Sequence, residues 1–255
     1  MSPERPLAAR SLIASLLLRS DPPRMRGARL VQWCGLFGVA EGTARVALSR
    51  MVERGELRAR NGNYELAGRV RGRAVAQDWS LDPALPAWMG AWRFAVVTTT
   101  GRDAGERGAL RDAMRHLRFG ELREGAWARP DNLPRSSAPD AWWEVAEAQC
   151  SWWSGRPDDD PVVLAGGLFA VDEWTKRAGA LARRLSSETR ALEDGGDASL
   201  ARAFLAGTVA VAHLRADPLL PSELADVDAG ESLRHAYRAY EVAFTRAART
   251  WFREQ

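Results

Sequence analysis

Lysine is almost missing from this chain: Lys176 is the only one, so nearly all of the 36 basic residues are arginine. Genomic composition accounts for such a bias as well as function does, and it carries no functional weight. Cysteine is scarce too. Cys34 and Cys150 sit in different apolar segments with no metal-spaced partner, which predicts buried free thiols in a reducing cytoplasm rather than a disulfide. The three histidines, His116, His213 and His235, are scattered and form no zinc pattern. No apolar run approaches the ~18 residues that would span a bilayer. Near the N-terminus the apolar stretch 12–18 is interrupted by Ser15 and leads into charge, unlike a secretion signal. Paired carboxylates at metal spacing, a Ser/His/Asp set, a Gly-rich phosphate loop and HExxH are all missing, so neither a cofactor nor catalysis is expected.

What remains is 255 residues, 46% of them hydrophobic, enough for two or three units with real cores. The overall charge of +3 hides an asymmetry. Residues 1–75 hold 14 basic and 6 acidic residues, a net of +8, while the remainder, with 22 and 27, carries −5. A basic N-terminal module on a mildly acidic body is the footprint of a nucleic-acid binder whose other part does something else.

Within that module, residues 41–55 (EGTARVALSRMVERG) place Ala44, Ala47, Leu48, Met51 and Val52 on one helical stripe. Thr43, Arg45, Val46, Ser49 and Arg50 fall on the opposite side. Ala40 stands where a capping side chain would normally be, with Glu41 compensating through the helix dipole. Two helices are expected before it. One, at 8–19, has Leu12, Ile13, Leu16 and Leu17 on a stripe and is ended by Asp21-Pro22-Pro23; the other, at 28–37, turns Leu30, Val31, Cys34 and Phe37 inward. After Gly55, the alternating runs 57–60 and 63–66 flank Asn61-Gly62, a strong hairpin signal that sets Leu57 opposite Leu66 and Ala59 opposite Tyr64. Three helices and a two-stranded wing make a winged helix-turn-helix, with 41–55 as its recognition helix.

Residues 1–7 read as a tail and 69–78 as a charged linker. Beyond them, a strand at 93–99, a helix at 103–117 burying Leu110, Ala113, Met114 and Leu117, a strand-like stretch at 119–129 bent at Gly120 and Gly125, and a further strand near 149–155 suggest a ferredoxin-like α+β unit. The loop 156–161 carries Asp158–Asp160, read as a solvated turn. From Val171 the chain is helical: 171–185, 199–214 and 231–252. The last carries the aromatic stripe Leu233, Tyr237, Tyr240, Phe244, Ala247 and Trp251, suited to core packing or to a dimer seam. The expected division is thus a DNA-binding domain at 1–75, a ferredoxin-like domain at 76–165 and a helical domain at 166–255. The fold class is α+β.

Four blocks carry a resemblance to a known family. They are Ala44–Val52 (ARVALSRMV) before Gly55 and the wing; Trp92-Arg93 with Arg102, Arg107, Leu110 and Arg111; Phe119-Gly-Glu-Leu122 leading to Gly125-Ala-Trp127-Ala-Arg129-Pro-Asp-Asn132; and Arg215-Ala-Asp-Pro-Leu-Leu-Pro221. In that order they resemble the PaaX family of bacterial transcriptional repressors over nearly the full chain. One departure is the segment 225–230 (ADVDAG), which lacks the proline and the Asp-Trp pair usual there. The resemblance implies a cytoplasmic homodimer on operator DNA, released by an acyl- or aryl-CoA thioester such as phenylacetyl-CoA.

A major groove admits a helix and shows each base pair as a distinct donor and acceptor pattern. Thr43, Arg45, Val46, Ser49 and Arg50 are therefore the expected groove contacts, with Arg58 and Arg60 on the wing touching adjacent backbone or minor groove. For a CoA thioester, Arg111, Arg118 and Arg129 with Trp92 and Trp127 are the candidate ligand residues, since guanidinium forks suit phosphates and indoles suit flat apolar groups; Arg115, Arg123 and Trp143 offer the same chemistry nearby. Two competing readings are a metal-dependent nuclease using Asp103 or Asp112 and a DNA-binding protein without an effector.

Overall fold

The computed structural model describes residues 8–20, 22–68 and 79–254. The expected tail, the stop at Asp21 and the linker 69–78 lie outside them. The fold is mixed helix and sheet, with two antiparallel sheets. The chain forms two compact units. One comprises Met1–Ala74, Ser187–Thr208 and Tyr240–Gln255; the other comprises Val75–Ser186 and Val209–Ala239.

The first unit opens with α1 (Ala9–Leu18), whose Leu12, Ile13, Leu16 and Leu17 are buried. Strand β1 (Arg24–Arg26) runs into α2 (Gly27–Leu36) and α3 (Glu41–Glu53). Strands β2 (Leu57–Arg60) and β3 (Asn63–Leu66) then pair antiparallel, with Leu57 opposite Leu66 and Ala59 opposite Tyr64. Asn61 and Gly62, at φ of 50° and 74°, supply the two left-handed residues that a tight hairpin turn of this twist demands. β1 adds a third strand to β3, so the sheet order is β1-β3-β2.

The core of this unit is aromatic and draws on both ends of the chain. Trp33 of α2 is fully buried, its ring meeting Phe37, Phe204, Phe244, Trp251 and Phe252 at centroid distances of 5.0–6.1 Å. Phe204 belongs to α8 (Asp197–Arg215), and the last three residues belong to α9 (Asp228–Glu254). α2 thus packs on segments more than 160 residues away in sequence. The Arg19 guanidinium lies 5.4–5.5 Å from the rings of Phe204, Tyr240 and Phe244.

The second unit holds a four-stranded antiparallel sheet, order β5-β6-β4-β7, built from β4 (Trp92–Val97), β5 (Gly120–Arg123), β6 (Ala126–Pro130) and β7 (Cys150–Gly155). The stretch read as one bent strand at 119–129 is a hairpin. Gly125, at φ 82°, makes its turn, and a register shift falls between Glu121 and Arg123. Helix α4 (Ala104–His116) connects β4 to β5. It starts on a capping box in which Asp103 accepts from the Glu106 N–H and Glu106 accepts from that of Asp103. Helix α5 (Asp140–Glu147) connects β6 to β7.

Alternation along the strands covers both faces of the sheet. Ala95 and Trp127 pack with Leu110, Met114, Trp143 and Ala146 on one side. Trp92 and Ala128 pack with Ala165, Leu220 and Leu224 on the other. Ala165 lies in α6 (Pro161–Leu168), a helix with Asp160 at its N-cap, accepting from the N–H groups of Val162 and Val163. The last of the three aspartates is therefore a helix cap. α7 (Val171–Glu193) follows, and segments of α7, α8 and α9 fall in both units. On α9 the aromatic stripe is interior, with Leu233, Tyr237, Tyr240, Phe244 and Trp251 buried, and Ala248 in place of Ala247. Of its two expected uses, core packing is the one seen. Among the described residues no helix is long and apolar enough to cross a membrane.

Candidate nucleic-acid interface and ligand cavity

Helix α3 is held by one side and bare on the other. Ala44, Leu48 and Met51 are buried, and Ala47 and Val52 half-buried, so the stripe expected to face inward does so. Thr43, Arg45, Val46, Ser49 and Arg50 are all exposed, including an apolar Val46 that is 51% accessible. A β-branched residue that open to water at the centre of a polar face is well placed for an apolar contact such as a thymine methyl. Ala40 leaves the helix start without a side-chain cap. Arg45 pairs with Glu41 one turn earlier, N to O at 2.6 Å, both side chains 65% exposed. Such a pair holds Arg45 only weakly.

On the wing, Arg58 and Arg60 are exposed and, two apart on β2, point the same way. The hairpin is anchored at its root, where Ala67 N–H donates to Glu56 O at 2.8 Å. Arg10 of α1 grips the Glu56 carboxylate with two bonds of 2.7 and 3.0 Å. All seven residues expected to meet DNA therefore lie exposed on α3 or the wing.

The five candidate ligand residues behave differently. Trp92 and Trp127 are buried on opposite faces of one sheet, and Arg111 is exposed on α4. Only Arg118 and Arg129 come together, and they are interior. Arg129 donates to the carbonyls of Pro130 (3.0 Å) and Arg118 (3.0 Å) and to Asn132 Oδ1 (2.9 Å). Arg118, at φ 59°, donates to the Asp217 carbonyl (2.9 Å) and to Ser80 Oγ (3.0 Å). Burial pulls Arg118 down to about 10 and Arg129 to about 9. Both stay cationic at neutral pH, their N–H groups satisfying carbonyls that would otherwise be unpaired. Trp92, Arg118, Trp127 and Arg129, expected to face a ligand, are interior: the two guanidiniums donate to protein acceptors and the two indoles are buried in the cores on either side of the sheet. Arg115 is used on the surface by Asp112 (2.8 Å).

A feature not read from the sequence lies beside this cluster. Asp217, buried, accepts from Arg234 (2.5 Å) and from the Leu219 N–H (2.9 Å), while Arg234 also donates to the Ser80 carbonyl (2.9 Å). The pair forms one wall of a cavity of about 610 Å³, with Trp88 and Trp174 among the other walls. Ala225, Asp226, Val227 and Gly230 line it too, so the segment that departs from the family pattern shapes this space. The one sequence signal was the turn-rich 215–221 block, whose prolines bend the chain around Asp217.

Residues 8–70, which hold α1 to α3 and the hairpin, match the model of a family described as PaaX-like protein. Over those residues the chain is PaaX-like. That family is one of transcriptional repressors, and the match points to a regulator of that kind. A solved structure, that of the uncharacterized protein Rv0674 from Mycobacterium tuberculosis, superposes with a TM-score of 0.69 at 37% identity, covering 95% of this chain and 98% of that one. No curated protein matches.

Proposed function

We propose that this PaaX-like chain is a homodimeric repressor whose N-terminal segment, residues 1–75, is a winged helix-turn-helix that reads operator DNA with α3. The carrying observation is the bare side of α3: two arginines, two hydroxyls and an apolar residue exposed on a helix whose other side is fixed by Ala44, Leu48 and Met51. Arg45 and Arg50 reach guanine edges or phosphate, Thr43 and Ser49 donate to phosphate or base, and Arg58 and Arg60 hold the neighbouring backbone. Residues 76–165 form the ferredoxin-like domain, which with the helices of 166–255 senses the effector. That effector is an aryl-CoA thioester such as phenylacetyl-CoA, by the resemblance. Its acyl arm enters the Trp88–Trp174 cavity while its phosphates stay outside, since Asp82, Glu223, Asp226 and Glu231 line the same space.

Fluorescence anisotropy with the DNA flanking the protein's own gene tests the first part. Arg45→Ala is expected to cost roughly 1–3 kcal/mol of specific binding, and unchanged affinity rejects the role of α3. Titrating phenylacetyl-CoA into the complex tests the second, with release as the expected result and persistence at saturation as the refutation.

A further inference from the structure

The unit that carries α3 has a second basic surface. A groove of about 980 Å³ is bounded by β1, the start of α2 and the last turns of α9. Among the described residues six arginines line it and no carboxylate does. Among the described residues, Arg24, Arg26, Arg29, Arg249 and Arg253 have no carboxylate within ion-pair distance. Arg29 lies over the Phe252 ring at 5.4 Å, and Arg253 donates to Thr250 Oγ1 at 3.0 Å, contacts that orient the guanidiniums without neutralising them. So many like charges on one surface repel each other and disfavour the compact state unless an anion joins them.

The groove is continuous with the wing. Arg26 is the register partner of Asn63, the first residue after the hairpin turn, and the Gly27 N–H donates to the Gly62 carbonyl at 3.0 Å. Arg24 and Arg26 are two apart on a strand, about 6.6 Å. Arg249 and Arg253 are one helical turn apart, about 6 Å. Two evenly spaced pairs suit the regular row of phosphates along a duplex strand better than a single compact anion.

We propose that this groove holds the sugar-phosphate backbone of duplex DNA next to the wing, so that the C-terminal helix takes part in DNA binding and lengthens the footprint beyond what α3 covers. The inference rests on α3 being the reading helix.

The test is the salt dependence of binding to a random-sequence duplex, compared with the operator. Each lost phosphate contact lowers the slope of log K against log salt by about 0.9. Arg249→Ala with Arg253→Ala is therefore expected to lower it by about 2 on both DNAs and to leave the operator-to-random ratio unchanged. The double lysine variant is expected to keep the slope, and all of these surface variants to unfold at or above the wild-type midpoint, since none adds to the repulsion. An unchanged slope with intact wild-type binding overturns the groove alone. Tight binding of a free nucleotide such as ATP, lost in the alanine variant while the duplex slope holds, also overturns it. A wild-type chain that binds no duplex overturns the reading of α3 as well.

Discussion

Glu41 holds the Arg45 guanidinium at 2.6 Å on the open side of α3, one helical turn apart and with both side chains in water. In the free protein this parks an arginine that the proposed reading of DNA needs; in such a complex it would set a carboxylate beside phosphates. An exposed pair of this kind is worth only a few tenths of a kcal/mol, so its release is easy, but the repulsion of Glu41 from the duplex remains.

Glu41→Gln is accordingly expected to tighten duplex binding, by roughly threefold to tenfold at low salt, with the gain shrinking as salt screens the charge. It also removes a favourable charge from a helix start that lacks a capping side chain, at about 0.3–1 kcal/mol of stability. Anisotropy at two salt concentrations checks the first effect and thermal unfolding the second. Weaker binding in the variant would mean that Glu41 positions Arg45 rather than restraining it.

The burial of Trp33 among rings from α8 and α9 gives a second expectation. A fragment ending at residue 74 retains α1 to α3 and the wing but strips four of the five rings from around Trp33. That fragment is expected to lack a cooperative unfolding transition. In the whole chain Trp33→Ala should cost about 3–5 kcal/mol. Circular dichroism melts decide both, and a cooperative fragment refutes the dependence.

Asp217 and Arg234 are each more than nine-tenths buried and hold one another directly. Removing one partner of a buried pair leaves a charge without compensation, a loss of about 3–5 kcal/mol. Asp217→Ala carries the added loss of the Leu219 N–H bond and leaves Arg118, Arg129 and Arg234 with no buried carboxylate among them. Urea unfolding is expected to show a midpoint drop of that size with a constant slope, and Asp217→Asn a smaller one. Equal losses in the two variants would show that the charge contributes nothing.

What could be read from residues alone divides by the range of the interaction involved. The hairpin was legible down to its register because Asn61-Gly62 specifies the turn locally, and α4 because its interior stripe recurs at helical spacing. Strand β1 was not: Arg24-Met25-Arg26 alternates over only three residues after Pro22-Pro23, too short a run to signal a strand, and pairing with β3 makes it one. Trp33 was not placed inside because its partners lie at the far end of the chain. The arginines split in the same way. Those of α3 are exposed because the opposite stripe determines their side, whereas Arg118 and Arg129 are interior because carbonyls of the 117–118 and 217–218 segments, invisible as acceptors in a sequence, surround them.

The stacking of His213 on Trp174, ring centroids 4.8 Å apart and 12° from parallel, makes stability depend on pH. The ring Nε2 lies 3.0 Å from the Trp174 carbonyl, and the indole N–H donates to the His213 carbonyl at 3.2 Å. Burial holds the imidazole below its ordinary 6.5, helped by the nearby Arg177 cation and opposed by that carbonyl and by Asp217. The unfolded chain therefore takes up the proton first as pH falls. Stability is flat above about pH 7, where both forms are neutral, and declines through the interval between the ordinary value and the lowered one. His213→Gln, which keeps a donor for the Trp174 carbonyl but cannot titrate, is expected to abolish that part of the decline while costing some stability at neutral pH. Urea midpoints for both proteins at about pH 7.5 and pH 5.5 measure it. An identical loss in wild type and variant would assign the acid sensitivity to the carboxylates instead.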